Sequence, residues 1–170
     1  MDLRDSIRSI PDYPEEGIIF RDITTLLKNP EALKAGVDQI QELLKDVEFD
    51  VVVAPESRGF IFGMPIAYNM GKGFVPIRKE GKLPCETMRE EYDLEYGSAV
   101  IEVHTDALQK GQKVIIIDDL LATGGTAKAM IDLIHKLGAE VSAAIFLIEL
   151  DGLGGREVLD GVDVKAILNY

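Results

Sequence analysis

The segment "VIIIDDLLATGGTA", residues 114–127, constrains this chain more than any other. Val114 to Ile117 form an unbroken run of β-branched residues, as expected for a strand buried on both faces of a parallel sheet. Two adjacent carboxylates, Asp118 and Asp119, close the run, and the loop after them holds no lysine or arginine. Beyond it Ala127, Met130, Ile131, Ile134 and Leu137 fall along one side of a predicted helix, which Gly138 stops. A core strand that delivers two acids and a glycine-threonine loop to the start of a helix fits an α/β fold and little else.

The rest of the chain keeps this alternation. A short helix is predicted over Leu3–Ser9, ended by "PDYP". Asn29 reads as an N-cap with Pro30 at the first helical position. Leu33, Val37, Ile40, Leu44 and Val47 then mark one helical face. Asp50–Ala54 and Phe74–Ile77 are short buried strands, and between them "SRGFIFGMPIAYNMG" is a loop and a helix closed by Gly71. "RKEGKLPCETMREEYDLEYG" is a polar excursion of about the length of a lid. Ser98–Val103 alternates like an exposed strand, and "VSAAIFLIEL" and "VDVKAILNY" supply further strands. The prediction is one α/β domain over residues 1–170, with an open, mostly parallel central sheet flanked by helices.

A net charge of -12 argues against generic binding to nucleic acid or to an anionic membrane, both of which need a basic surface. The single cysteine, Cys85, cannot form an internal disulfide, which fits a reducing compartment. The opening "MDLRDSIRSIPDYPEEG" is charged throughout and lacks the apolar centre of a signal peptide. A cytoplasmic protein is the expectation.

In open α/β sheets, ligands sit beyond the carboxyl ends of the strands, which is where Asp118 and Asp119 fall. Unpartnered burial of such acids costs on the order of several kcal/mol each, so they need hydroxyl donors, a metal or water. The loop Thr123, Gly124, Gly125, Thr126 can aim several backbone N–H groups at one anion at a helix N-terminus. It has neither the lysine of a Walker loop nor a Gly-x-Gly-x-x-Gly pattern. A ligand that suits both halves carries a phosphate and vicinal hydroxyls, as ribose 5-phosphate does. On this reading the substrate and its metal neutralise the carboxylates, and the protein does not. The alternative is a solvated turn that caps the next helix.

The same stretch resembles the phosphoribosyl pyrophosphate (PRPP) motif of type I phosphoribosyltransferases. With "PDYPEEGIIFRDIT", "ESRGFIFG", "IRKEGKLP" and "LEYG" in this order, the resemblance is to adenine phosphoribosyltransferases over nearly the whole chain. That family makes AMP and pyrophosphate from adenine and PRPP with Mg2+, typically as homodimers. The resemblance implies a small base-binding hood over about residues 1–30 and a flexible lid over about 81–97. It implies that Ala122, Thr123, Gly124, Gly125 and Thr126 hold the 5′-phosphate, while Asp118 and Asp119 hold the ribose hydroxyls. Ser57 and Arg58 would take the pyrophosphate beside a cis peptide between Glu56 and Ser57. Arg78, Lys79 and Lys82 would add positive charge, partly from a neighbouring subunit. Adenine would lie against Phe20 and Leu120 and read backbone groups of Ile19 and Arg21, with Glu95 handling the proton. Glu56 departs from relatives that carry a shorter acid there. Mg2+ would be held mainly by substrate oxygens and water.

Displacement at the anomeric carbon would pass through an oxocarbenium-like state, which nearby carboxylates stabilise and a lid shields from water. A plain surface hairpin is the alternative for the lid. Two further readings stay open: a PRPP-binding regulator without catalysis, and a transferase for orotate or a 6-oxopurine. The residues before Phe20 are too few for an appended DNA-binding domain. His104, His135 and Cys85 are set aside as bystanders, with no zinc-like spacing among them.

Overall fold

The computed structural model describes residues 1–94 and 96–170. The chain opens with a 3₁₀ turn, Leu3–Ser6, capped by the Asp2 carboxylate, which accepts from the Arg4 N–H at 2.9 Å. β1 (Arg8–Pro11) and β2 (Ile19–Asp22) follow as an antiparallel hairpin, with Ile10 opposite Phe20. The helix predicted to reach Ser9 therefore stops at Ser6, because the residues after it pair with β2.

After α1 (Thr24–Leu27), α2 (Pro30–Leu43) starts as predicted. The Asn29 side chain accepts from the N–H groups of Glu31 and Ala32, and Pro30 fills the first turn. β3 (Val51–Pro55) leads to α3 (Arg58–Met70), which ends at Gly71 in the left-handed region at φ 65°. β4 (Gly73–Lys79), β5 (Thr87–Asp93), β6 (Ser98–His104) and β7 (Lys113–Leu121) come next. The chain finishes with α4 (Gly125–Lys136), β8 (Glu140–Glu149), the single turn α5 (Gly155–Val158) and β9 (Val164–Asn169).

The main sheet has the order β5-β6-β4-β3-β7-β8-β9. Its β4, β3, β7, β8 and β9 are parallel, and β6 and β5 complete one edge antiparallel. The polar excursion thus contains a strand, β5. The expected exposed alternation of β6 is absent: Ile101, Glu102 and Val103 are buried in succession. That strand is enclosed because β5 covers its outer edge and α4 lies against it.

Alternation along the central strands feeds two cores. Val52, Ile115, Ile117, Ile145 and Leu147 pack with α2 and α3 on one face. Val53, Ile116, Ala144 and Phe146 pack with α4 on the other. Two buried faces explain why these strands read as continuous apolar runs. No helix among the described residues is long and apolar enough to cross a membrane.

Candidate active site

Sheet order turns around β3, with β4 on one side and β7 on the other. A crevice forms where neighbouring crossovers diverge, beyond the carboxyl ends of such strands. A cavity of about 720 Å3 lies there. Ser57, Arg58, Arg78, Lys79, Asp118, Asp119, Leu120 and residues 122–126 all line it. Lys82 is exposed outside it. Ile19, Phe20 and Arg21 also lie off its walls, on β2. There Phe20 meets the edge of Tyr13 at 5.3 Å, while Arg21 donates to Ser9 Oγ at 2.6 Å and covers the Tyr170 ring at 4.0 Å. Glu95 lies outside the described residues.

The acid pair has a protein cation after all. Arg58, the first residue of α3, donates from Nε to Asp119 Oδ2 at 2.5 Å. Asp119 is only 6% exposed, so this partner offsets much of its desolvation. The expectation that the substrate and its metal, and not the protein, neutralise the pair is therefore corrected. The missing charge comes from across the sheet, where β3 and β7 run side by side.

Asp118 is treated differently. Its Oδ1 accepts the Asp119 backbone N–H at 2.8 Å. Burial first, and repulsion from Asp119 second, still raise its carboxyl well above the ordinary aspartate range. Gly59 lets α3 come this close, because a methyl there would stand 3.1 Å from Asp118 Oδ1 and 2.5 Å from Pro55 Cδ.

The glycine-threonine loop sits at the start of α4. Gly124 adopts φ 88°, a left-handed conformation that turns the chain into the helix. Thr126 Oγ1 lies 3.1 Å from the Tyr92 hydroxyl, so β5 reaches over from the sheet edge to the loop. Tyr92 and Glu80, neither singled out from sequence, also line the cavity. The signal for Tyr92 was a period of two: Met88, Glu90 and Tyr92 turn inward while Arg89, Glu91 and Asp93 face solvent.

The Glu56–Ser57 peptide is cis. Glu56 Oε1 accepts the Lys79 N–H at 2.6 Å and lies 3.4 Å from Arg78 Nε. This acid thus ties the end of β3 to the end of β4 and holds the basic pair at the cavity. The described residues contain no cluster of three or more His, Cys, Asp or Glu side chains able to hold a metal.

Comparison with known proteins agrees with this fold. Residues 22–168 match the phosphoribosyl transferase domain. The chain is 59% identical over 168 residues to the adenine phosphoribosyltransferase of Lachnoclostridium phytofermentans, covering 99% of this chain and 97% of that one. Its fold superposes on the crystal structure of adenine phosphoribosyltransferase from Thermoanaerobacter pseudethanolicus with a TM-score of 0.96 and 49% identity, covering 99% and 98% of the two chains. The Saccharomyces cerevisiae adenine phosphoribosyltransferase, solved with an imino-altritol bisphosphate and adenine, gives a TM-score of 0.89 at 40% identity, covering 95% and 94%.

Proposed function

The chain belongs to the phosphoribosyl transferase family, and from that premise we propose that it joins adenine to the 5-phosphoribosyl group of PRPP, giving AMP and pyrophosphate. The observation that carries this reading is the meeting of an acid pair and a glycine-threonine loop in one cavity at the carboxyl end of β7. Full-length relatives named for that activity support the choice of adenine.

Backbone N–H groups of residues 122–126, at the positive end of α4, grip the 5′-phosphate. Asp118 and Asp119 accept from the ribose diol, and hydroxyls donating into the pair favour its charged form. Arg58, Arg78 and Lys79 face the pyrophosphate, whose charge the acidic protein must counter locally. Bound Mg2+ would be held mainly by substrate oxygens and water and would supply charge neutralisation for the leaving group. As the bond from the anomeric carbon to the pyrophosphate oxygen lengthens and the bond to the adenine nitrogen forms, positive charge grows on the ribose and the neighbouring carboxylates stabilise it. Adenine rests between Phe20 and Leu120, with the backbone of Ile19 and Arg21 reading its 6-amino group, and Glu95 handles its proton.

The segment Gly81–Gly97 acts as the lid that keeps water from the ribose. The working unit is a cytoplasmic homodimer, for which an exposed apolar stripe on α3, Ile61, Met64 and Tyr68, offers a surface.

Purified protein incubated with PRPP, Mg2+ and each of adenine, hypoxanthine and guanine tests the reading through pyrophosphate release. Adenine is expected to turn over and the other two to be poor substrates. Equal use of hypoxanthine would sink the base assignment. Binding of PRPP without turnover of any base would favour a regulator.

A further inference from the structure

We propose that the ion pair between Glu149 and Arg156 is a positioning element for the loop 122–126, which it sets by fixing α5 as a backstop beneath it. The inference rests on reading that loop as the 5′-phosphate site. Glu149 ends β8, is 7% exposed and does not line the cavity. Arg156 donates to it from Nε to Oε1 at 3.0 Å and from Nη2 to Oε2 at 2.5 Å, and its Nη1 donates to the Val164 carbonyl at 2.5 Å. Asn169 Nδ2 donates to Glu149 Oε2 at 3.3 Å and to Asp151 Oδ1 at 3.0 Å. Through Arg156 and Asn169, this enclosed carboxylate therefore links the end of β8 to α5, to the turn after β8 and to both ends of β9. A two-pronged arginine fixes orientation as well as distance.

What this fastened segment touches is the loop. Gly155, the chain neighbour of Arg156, is buried, and a methyl group on it would run into the Ala122 carbonyl oxygen and stand 3.0 Å from Leu121 Cγ. From the other side, a methyl on Gly124 would stand 2.9 Å from the Gly155 carbonyl oxygen and 3.2 Å from Val158 Cβ. The Leu150 N–H also donates to the Leu121 carbonyl at 2.9 Å. Backbone rests on backbone here, with glycine on both sides of the contact. A loop built of glycine and small residues has few side chains with which to hold its own N–H groups in place. Its preorganisation then comes from the surface it rests on. Arg156 and Glu149 hold that surface and so act on the phosphate through the loop, without touching it.

Calorimetric titration of the full chain with ribose 5-phosphate gives the test, with circular dichroism checking that each variant is folded. G155A forces the backstop and loop apart while leaving the ion pair in place. The double variant E149Q/R156M removes both charges together and strands neither, and R156K keeps the charge but loses the fork. G155A and E149Q/R156M are expected to weaken ribose 5-phosphate binding roughly five- to tenfold, with R156K intermediate. The KM for adenine is expected to stay within about twofold of wild type. A role confined to stability would lower the folded fraction and leave the dissociation constant of the folded protein unchanged. Folded variants that bind ribose 5-phosphate like wild type overturn the inference. If the double variant does not fold, G155A and R156K decide it. Wild-type protein that fails to bind ribose 5-phosphate overturns the reading of the loop, and this inference with it.

Discussion

Asp118 is held where its charge is unfavourable, and that gives it a testable signature. Its carboxyl is raised above the ordinary aspartate range by burial and by Asp119. The native state therefore binds this proton more tightly than the unfolded chain does. By linkage, the stability that the group contributes is complete below the unfolded pKa and is lost as pH rises toward the native one. Asp118→Asn is thus expected to raise the melting temperature at neutral pH, with the gain shrinking as pH falls into the ordinary aspartate range. The same change should lower kcat/KM by roughly 10- to 100-fold, the equivalent of one charged hydrogen bond to the diol. Thermal melts across pH, together with a kinetic assay, check both halves. A melting gain that grows toward acid would refute the assignment. Arg58→Ala acts in the opposite sense, because it leaves Asp119 enclosed and unpaired. Arg58 is itself 51% exposed, so the expected loss is about 1–2 kcal/mol, below the figure for a fully buried pair. Denaturant unfolding measures it.

At the scale of elements, what could be read from sequence was what is contiguous in it. Strand β7, the acid pair, the loop and α4 follow one another without interruption, so one window carried strand, site and helix together. Caps were legible for the same reason: Asn29 with Pro30, and Gly71 after α3, act on their nearest neighbours. Pairings across long separations were not legible. Arg58 and Asp119 stand 61 positions apart, and Thr126 and Tyr92 stand 34 apart. β1 and β5 were missed because both are polar edge elements, whose existence depends on a partner strand more than on their own pattern. The cost of that miss is functional, since β5 delivers Tyr92 to the loop. Tyr92→Phe keeps the packing and removes the hydrogen bond with Thr126. It is expected to lower affinity for the phosphate by about 1 kcal/mol, or roughly fivefold, in the same titration with ribose 5-phosphate. Full wild-type affinity in that variant would show that β5 only covers the loop.

At the scale of the molecule, the difficulty is binding a highly charged anion to a chain of net charge -12. Cations must be concentrated at the cavity, and Arg58, Arg78 and Lys79 are. Lys82, expected to join them, is exposed outside the cavity of its own chain. A second copy resolves this if it brings its own basic segment toward the neighbouring site. α3 presents Ile61, Met64 and Tyr68 at 36%, 48% and 84% exposure, at spacings of three and four that place them on one face. Aligned apolar exposure of this kind is costly to leave in water and is what an association surface would present. Light scattering coupled to size exclusion is therefore expected to give twice the 18.7 kDa chain mass. Met64→Glu places a charge in the middle of the stripe and should shift the protein to the single-chain mass. If Lys82 works across the interface, Lys82→Ala in the dimer and Met64→Glu should both raise the KM for PRPP. Combining them should then raise it little further, since residues in one pathway do not add. Fully additive effects would remove Lys82 from the partner's site, and a wild-type protein at the single-chain mass would remove the dimer itself.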